Sequence, residues 1–336
     1  MRILRSVALL VCCLGSAQAA DEEARIVEVH MIWNAAPHNA FTDLVRWRDR
    51  WWCVCRSGLS HVSSDGAIQL ITSENGEKWS SAAQIKSKGG DLRDPKITVT
   101  PKGQLMINAA RHQAPALYQS VAYFSDDGRT WSRPAPVGDP DFWLWRVTWH
   151  GQRAYGAGYG CSAANKFIRL YASEDGKQYE TLVPKLLDEG YPNETAMVFL
   201  DDGTCLSLVR RDEGTATAQL GRARPPYKDW SWKDLGVRIG GPSMIRVPDG
   251  RLVAGVRLYD GRQRTSLCWV DAEEGRLTEF LPLPSSGDTS YPGLVWHDGL
   301  LWVSYYSSHE GGTNVYLAKV RLPERAKRPS EGRPAS

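Results

Sequence analysis

Apolar residues in this chain fall in short runs of strand length, each closed by a turn signal. A Gly- or Asp-centred turn followed by an apolar run recurs at Asp49, Gly103, Gly151, Gly203, Gly250 and Gly299, a period of about fifty residues. The runs include Trp51-Trp52-Cys53-Val54, Leu105-Met106-Ile107 and Leu301-Trp302-Val303. A β-rich stretch precedes each turn, as in Ile97-Thr98-Val99 and Met197-Val198-Phe199, so every unit opens with a β-hairpin. A second signal falls later in the unit. Ser73-Glu74-Asn75-Gly76 matches Ser125-Asp126-Asp127-Gly128 and Ser173-Glu174-Asp175-Gly176, each with Trp79, Trp131 or Tyr179 three residues beyond. An acidic or amide side chain that bonds the turn's own N–H groups, with glycine at the strained position, makes a tight turn. Six units with two hairpins each predict an all-β chain folded as a six-bladed β-propeller over residues 20–322, one domain without an internal linker.

Composition sharpens this reading. The chain has 336 residues, 42% hydrophobic and 24% charged, ordinary for a globular protein. Gly (31), Pro (19) and Trp (14) are abundant, as strands, turns and inter-blade packing require. Arg2 and Arg5, the apolar run Val7 to Leu14 and Ala17-Gln18-Ala19 form a secretory signal peptide over residues 1–19. The run is too short to span a bilayer, so export to a periplasmic or extracellular location is expected, without membrane insertion. Cys12 and Cys13 leave with that leader. Cys53, Cys55, Cys161, Cys205 and Cys268 read as small buried hydrophobes, with one bridge left open, and their spacing offers no zinc pattern. The formal net charge is +3, about +1 after the leader is removed, which excludes nucleic acid as an electrostatic partner. Residues 323–336 carry no apolar side chain beyond alanine and read as a disordered tail.

Aligning the innermost strands on their turns places Thr42, Asp94, Leu144, Glu194, Pro242 and Tyr291 at one end of the central channel. Three groups of catalytic type, Asp94, Glu194 and Tyr291, therefore converge from alternate blades, with Asp43 and Arg146 nearby. Arg56, Arg111, Arg210 and Arg257 end the second strands seven or eight residues past their turns and suggest an electropositive funnel that binds carboxylate. Trp143, Trp145 and Tyr159 are candidates for stacking on sugar faces as well as for core packing. Pro292 is expected to hold Tyr291 extended.

The six repeats, the Ser-x-x-Gly turns and these funnel residues resemble the sialidase superfamily, whose similar turns are called Asp boxes. The stretch from Glu194 to Arg210 looks like the sialidase segment carrying the Glu that activates the nucleophile and one Arg of a carboxylate-binding triad. Ser290-Tyr291-Pro292-Gly293 is similar to the segment carrying the nucleophilic Tyr. Arg264, with Arg257 as a competing assignment, resembles another triad member. Asp65 lies near the place of the family's general acid, with His61 and Asp94 as rivals. One departure stands out: the first blade reads Pro37-His38-Asn39-Ala40-Phe41-Thr42-Asp43, without the family's Arg. Arg56, Arg93 or Arg146 could supply that charge from elsewhere. The resemblance implies a retaining exo-glycosidase without a cofactor, acting on sialic acid or a related acidic glycan. A non-catalytic glycan-binding propeller, or a hydrolase for another acidic sugar, is the alternative.

Overall fold

The computed structural model describes residues 23–88, 90–113 and 117–325. The leader at 1–19 lies outside the described residues. These contain strands and no helix, arranged as six four-stranded antiparallel sheets around a central channel, a six-bladed β-propeller. Five blades run in chain order from the innermost strand outwards. Their innermost strands are His38–Trp47, Leu92–Val99, Phe142–His150, Pro192–Phe199 and Ile239–Arg246. The sixth blade begins at Thr289–His297 and takes its outermost strand, Arg25–Trp33, from the start of the described chain, paired with Asn314–Arg321.

Apolar residues of neighbouring blades meet in a separate buried cluster at each junction. Trp47 and Trp52 of blade 1 pack on Leu92 and Ile107 of blade 2, and Leu206 and Leu208 of blade 4 on Val256 and Cys268 of blade 5. The ring closes where Trp51 of blade 1 stacks on Trp302 of blade 6, ring centres 4.1 Å apart. The Ser-x-x-Gly turns clamp the same junctions. Ser125 Oγ accepts the Gly128 N–H at 2.8 Å, and Gly128 has φ +71°. A Cβ there would lie 2.2 Å from the Trp52 ring of the preceding blade, so glycine is required by both backbone and space. Gly76 stands in the same relation to Trp302. Cys53, Cys55, Cys161, Cys205 and Cys268 are free thiols.

The first residues of the segment 323–336 belong to the described chain. Pro323 and Arg325 are tied to blade 5, by Arg251 Nη2 on the Pro323 carbonyl at 2.6 Å and Arg325 Nη1 on the Asp249 carbonyl at 2.9 Å. Residues 326–336 lie outside the described residues.

An ion pair braces the channel. Arg146 Nη1 reaches both oxygens of buried Asp43 at 3.0 Å, its Nη2 approaches the Pro292 carbonyl at 3.5 Å, and Asp43 Oδ2 also accepts the Ile97 N–H at 3.0 Å. Blades 1, 2, 3 and 6 are thereby linked. Beyond the brace a cavity of about 560 Å3 is lined by Val99, Trp149, Phe199 and Arg246 at the far end of the channel. Arg146→Met leaves the Asp43 charge buried with only its backbone donor. A loss of about 3–5 kcal/mol is expected, read as a lower urea midpoint with an unchanged m-value.

Candidate active site

In every blade the innermost strand bulges at the same place. The register skips between Ala40 and Asp43, Arg93 and Lys96, Leu144 and Arg146, Pro192 and Thr195, Gly240 and Ser243, and Ser290 and Gly293. A bulge re-aims side chains that a regular strand would direct into the blade interfaces. The residues so aimed are Phe41 and Thr42, Asp94, Trp145, Asn193 and Glu194, Gly241, and Tyr291. Phe41, Asp94, Gly241 and Tyr291 take left-handed φ values of +60°, +49°, +56° and +52°. Tyr291 is therefore not extended, contrary to the expectation drawn from Pro292. The proline restricts its predecessor against the right-handed helical region, and the bulge selects the left-handed alternative. Non-glycine residues held this way carry strain of about 1–3 kcal/mol each. The bulge also corrects the alignment by one residue. Phe41, Asn193 and Gly241, rather than Thr42, Glu194 and Pro242, are the true counterparts of Asp94 and Tyr291.

The structure brings Tyr291 and Glu194 into direct contact. The Tyr291 hydroxyl donates to Glu194 Oε1 at 2.5 Å, while Oε2 accepts the Gly241 N–H at 2.7 Å and faces Arg210 Nη1 at 2.9 Å. Both side chains are buried, at 7% and 5% exposure. Burial pushes the Glu194 carboxyl up, but Arg210, the Tyr291 hydroxyl and the Gly241 N–H outweigh it and hold the group below its usual range. Burial, with the negative charges of Glu194 and Asp94, pushes the Tyr291 phenol well above its usual range. The resting pair is thus a neutral phenol bonded to a carboxylate. Phe41 and Trp145 set their edges against the Tyr291 ring, at centroid distances of 5.0 and 5.2 Å.

Asp94 faces the same pocket with its Oδ1 buried and without a hydrogen-bond partner. Burial raises its carboxyl to about 6, opposed in part by Arg93 and Lys96. Lys96 escaped sequence reasoning altogether. It is 1% exposed, its ammonium bonds the Thr42 carbonyl at 3.3 Å, and it lies 4.6 Å from the Trp145 ring centre and 5.2 Å from that of Tyr291. Burial, then the Arg146 charge, lowers its pKa to about 8.

The arginines divide. Arg257 reaches the pocket: its guanidinium lies 5.6 Å from the Tyr291 ring centre and is held by the Thr289 carbonyl at 2.6 Å and the Tyr306 hydroxyl at 3.0 Å. Arg210 bonds Asp212 as well as Glu194. Arg93 sits between Phe41 and Trp143, 5.9 and 5.7 Å from their ring centres. Arg56 does not face the funnel. It is fully buried on Asp91 at 2.8 Å and on the carbonyls of Ser60 and Ser63, where it secures the adjoining loop. Arg264 is also misplaced by the sequence reading, because it lies on the third strand of blade 5 and turns outward onto Glu279 at 2.5 Å. The four second-strand arginines do not share one register either. Arg56 and Arg257 oppose Ala40 and Gly240 just before the bulge, Arg210 opposes the bulge itself, and Arg111 opposes Leu92.

Asp65 is likewise unsuited to the acid role assigned to it. It is exposed, and the Ser63 hydroxyl and the Leu59 N–H, the latter at 3.2 Å, hold its carboxyl below the usual range. A general acid needs the opposite shift. Along the rim, Tyr118, Trp143 and Tyr159 form a continuous stack with spacings of 5.0 and 5.7 Å. Trp145 is fully buried beneath the pocket and offers no face to a ligand.

No protein-family model matches this sequence, and neither does any curated protein. Solved structures do match in three dimensions. A Dyadobacter fermentans protein described as of unknown function superposes with TM-score 0.78 at 18% identity, covering 89% of this chain and 99% of that one. An α-L-arabinofuranosidase of Fusarium graminearum, solved with arabinobiose, gives TM-score 0.70 at 12% identity over 88% and 98% of the two chains. A sialidase of Streptococcus pneumoniae gives 0.63 at 13% identity over 86% and 70%. The sialidase resemblance read from the sequence thus extends to the fold, a six-bladed propeller that sialidases share with arabinofuranosidases.

Proposed function

We propose that the chain is an exported, retaining exo-glycoside hydrolase of sialidase type that removes a terminal acidic sugar. The observation that carries this reading is the 2.5 Å hydrogen bond between the Tyr291 hydroxyl and Glu194 at the floor of the funnel. A carboxylate bonded to a neutral phenol is the ground state required of a base-activated nucleophile. A sugar with a carboxylate on its anomeric carbon would repel an anionic nucleophile, and a neutral tyrosine avoids that repulsion; sialidases use this exception to the two-carboxylate rule. In the first step the Tyr291 oxygen bonds to the anomeric carbon and its proton passes to Glu194. The glycosidic bond breaks, and the leaving oxygen takes a proton from Asp94, which replaces Asp65 as the acid. In the second step water displaces Tyr291, giving its proton to Asp94, and Glu194 returns the first proton to the phenol oxygen. Two inversions retain configuration. Arg257, Arg210 and Arg93 supply positive charge for the substrate carboxylate. A glycosidic substrate is common ground between the arabinofuranosidase and the sialidase that share the fold.

Phe41 favours a second reading of the substrate. It occupies the first-blade bulge, where the family resemblance calls for an arginine, so one carboxylate contact is replaced by an apolar edge. That exchange favours a hydrolase for another acidic sugar, such as a uronate, on the same catalytic pair. Aryl α-sialosides, aryl uronides and aryl arabinofuranosides assayed side by side separate these readings. Cleavage of an acidic glycoside, with the retained anomer seen first by NMR, is expected. Binding of acidic glycans without cleavage of any would instead indicate a glycan-binding propeller. Arg257→Ala is expected to weaken acidic substrates by about 2–5 kcal/mol and to leave a neutral aryl glycoside unaffected. Equal loss for both would show that the funnel does not read a carboxylate.

A further inference from the structure

A second constellation stands at the funnel mouth, and the hydrolytic chemistry does not use it. His38 opens the innermost strand of blade 1. His61 lies on the loop after the second strand of that blade, and Asp288 immediately precedes the innermost strand of blade 6. Asp288 Oδ2 is 3.0 Å from His38 Nε2 and 2.7 Å from His61 Nδ1, and the three atoms all lie within 4.8 Å of one another.

We propose that His38, His61 and Asp288 bind a divalent transition ion of the zinc class across the seam between blades 1 and 6. Two imidazole nitrogens and one carboxylate oxygen suit Zn2+ and its neighbours, and not Ca2+ or Mg2+, which take oxygen ligands. Donor atoms about 2.0–2.2 Å from a tetrahedral ion stand roughly 3.3–3.5 Å apart, so small side-chain rotations convert the observed cluster into a ligand set. The carboxylate is already oriented for this. Its other oxygen accepts the Tyr306 hydroxyl at 2.8 Å, and Arg257 Nη2 stands 3.8 Å away, an outer shell of the kind that fixes a metal ligand. His61 is 48% exposed, which leaves the side of the ion away from the protein open for a further ligand. Its ring lies 5.0 Å from that of Phe41, and Phe41 lies 5.0 Å from Tyr291. The ion would therefore sit beside the reaction centre. There it could hold a hydroxyl or carboxylate oxygen of the bound glycan, a role that rests on the hydrolase reading, whereas the binding itself does not. By tying the His61 loop to blade 6 it would also fasten the joint at which the ring closes.

The test needs no substrate. Untagged protein, stripped with a chelator, is titrated with zinc chloride by calorimetry and with Co2+ by visible absorption. One equivalent is expected to bind, with a rise in melting temperature and tetrahedral or five-coordinate cobalt bands. His61→Asn changes an exposed side chain and leaves the fold intact, which circular dichroism verifies. It should weaken binding about 100-fold, and Tyr306→Phe about 10-fold. Failure to bind one equivalent, or equal affinity in wild type and His61→Asn, would overturn the proposal and leave the cluster as a hydrogen-bonded His–Asp–His staple. Because neither readout involves hydrolysis, a negative result leaves the glycosidase reading untouched.

Discussion

Tyr291→Phe is expected to fold and to bind acidic glycans while losing about 10^4-fold or more in kcat on an activated aryl glycoside. The change deletes one oxygen from a buried ring that keeps its contacts with Phe41 and Trp145. Glu194 retains Arg210 and the Gly241 N–H, so its charge stays compensated and the stability cost is about 1–3 kcal/mol, that of one hydrogen bond to a charged group. The split between kcat and KM is the informative readout. A tyrosine that merely satisfied a buried carboxylate would change stability and leave kcat near wild type. In the wild-type protein a fluorinated glycosyl inhibitor should label Tyr291, located by mass spectrometry of the digested chain. Full activity in the phenylalanine variant would end the nucleophile assignment.

The second large effect concerns Asp94, whose substitution should move activity and stability in opposite directions. Its carboxyl titrates near 6 in the folded chain against an ordinary value of 3.8. A group raised in this way contributes stability that is complete below 3.8 and is lost as pH rises through 6. At pH 7 the ionised, buried carboxylate therefore costs the fold about 1–3 kcal/mol. Asp94→Asn should raise the urea midpoint at pH 7, and the gain should shrink towards pH 4. The same change removes the proposed general acid, with an expected loss of about 10^2–10^4-fold in turnover on substrates with poor leaving groups. In the wild-type protein kcat/KM should fall as pH rises above about 6, where Asp94 deprotonates, and fall again at acid pH, where Glu194 takes up a proton. A flat profile across pH 6, or an asparagine variant less stable at pH 7, would remove Asp94 from the acid role.

The blade count was legible because each turn demands glycine or aspartate at a fixed point and each strand demands an apolar run, constraints local enough to leave a period in the sequence. Glu194 and Tyr291 emerged from that period because residues counted back from equivalent turns share a height in the channel to within about one residue. The bulge was not seen, although it leaves a trace: Asp94-Pro95, Gly241-Pro242 and Tyr291-Pro292 fall at one register in three blades. Proline fits there because its missing N–H has no ladder partner to lose. Lys96 was beyond reach, since nothing in a sequence distinguishes a buried lysine from an exposed one. Arg264 misled because position along a strand does not say which strand of the blade it is, and only the inner two approach the funnel. Asp65 misled because its loop conformation spends the carboxylate on Leu59 and Ser63. His38, His61 and Asp288 are brought together only by ring closure, so no spacing announces them.

That closure has a consequence for how the molecule comes into being. The strand Arg25–Trp33 pairs with Asn314–Arg321 across the whole of residues 34–313. Synthesis delivers the first strand long before its partner exists. Five blades can form as they emerge, each from local hairpins, but the sixth is unfinished until the last residues appear. Until then its exposed edge is an open template for another chain. The order of assembly is thus the reverse of the order of translation for one strand, and the slow, aggregation-prone interval is the wait of the oldest segment for the newest edge. Removing Arg25–Trp33 would make that interval permanent.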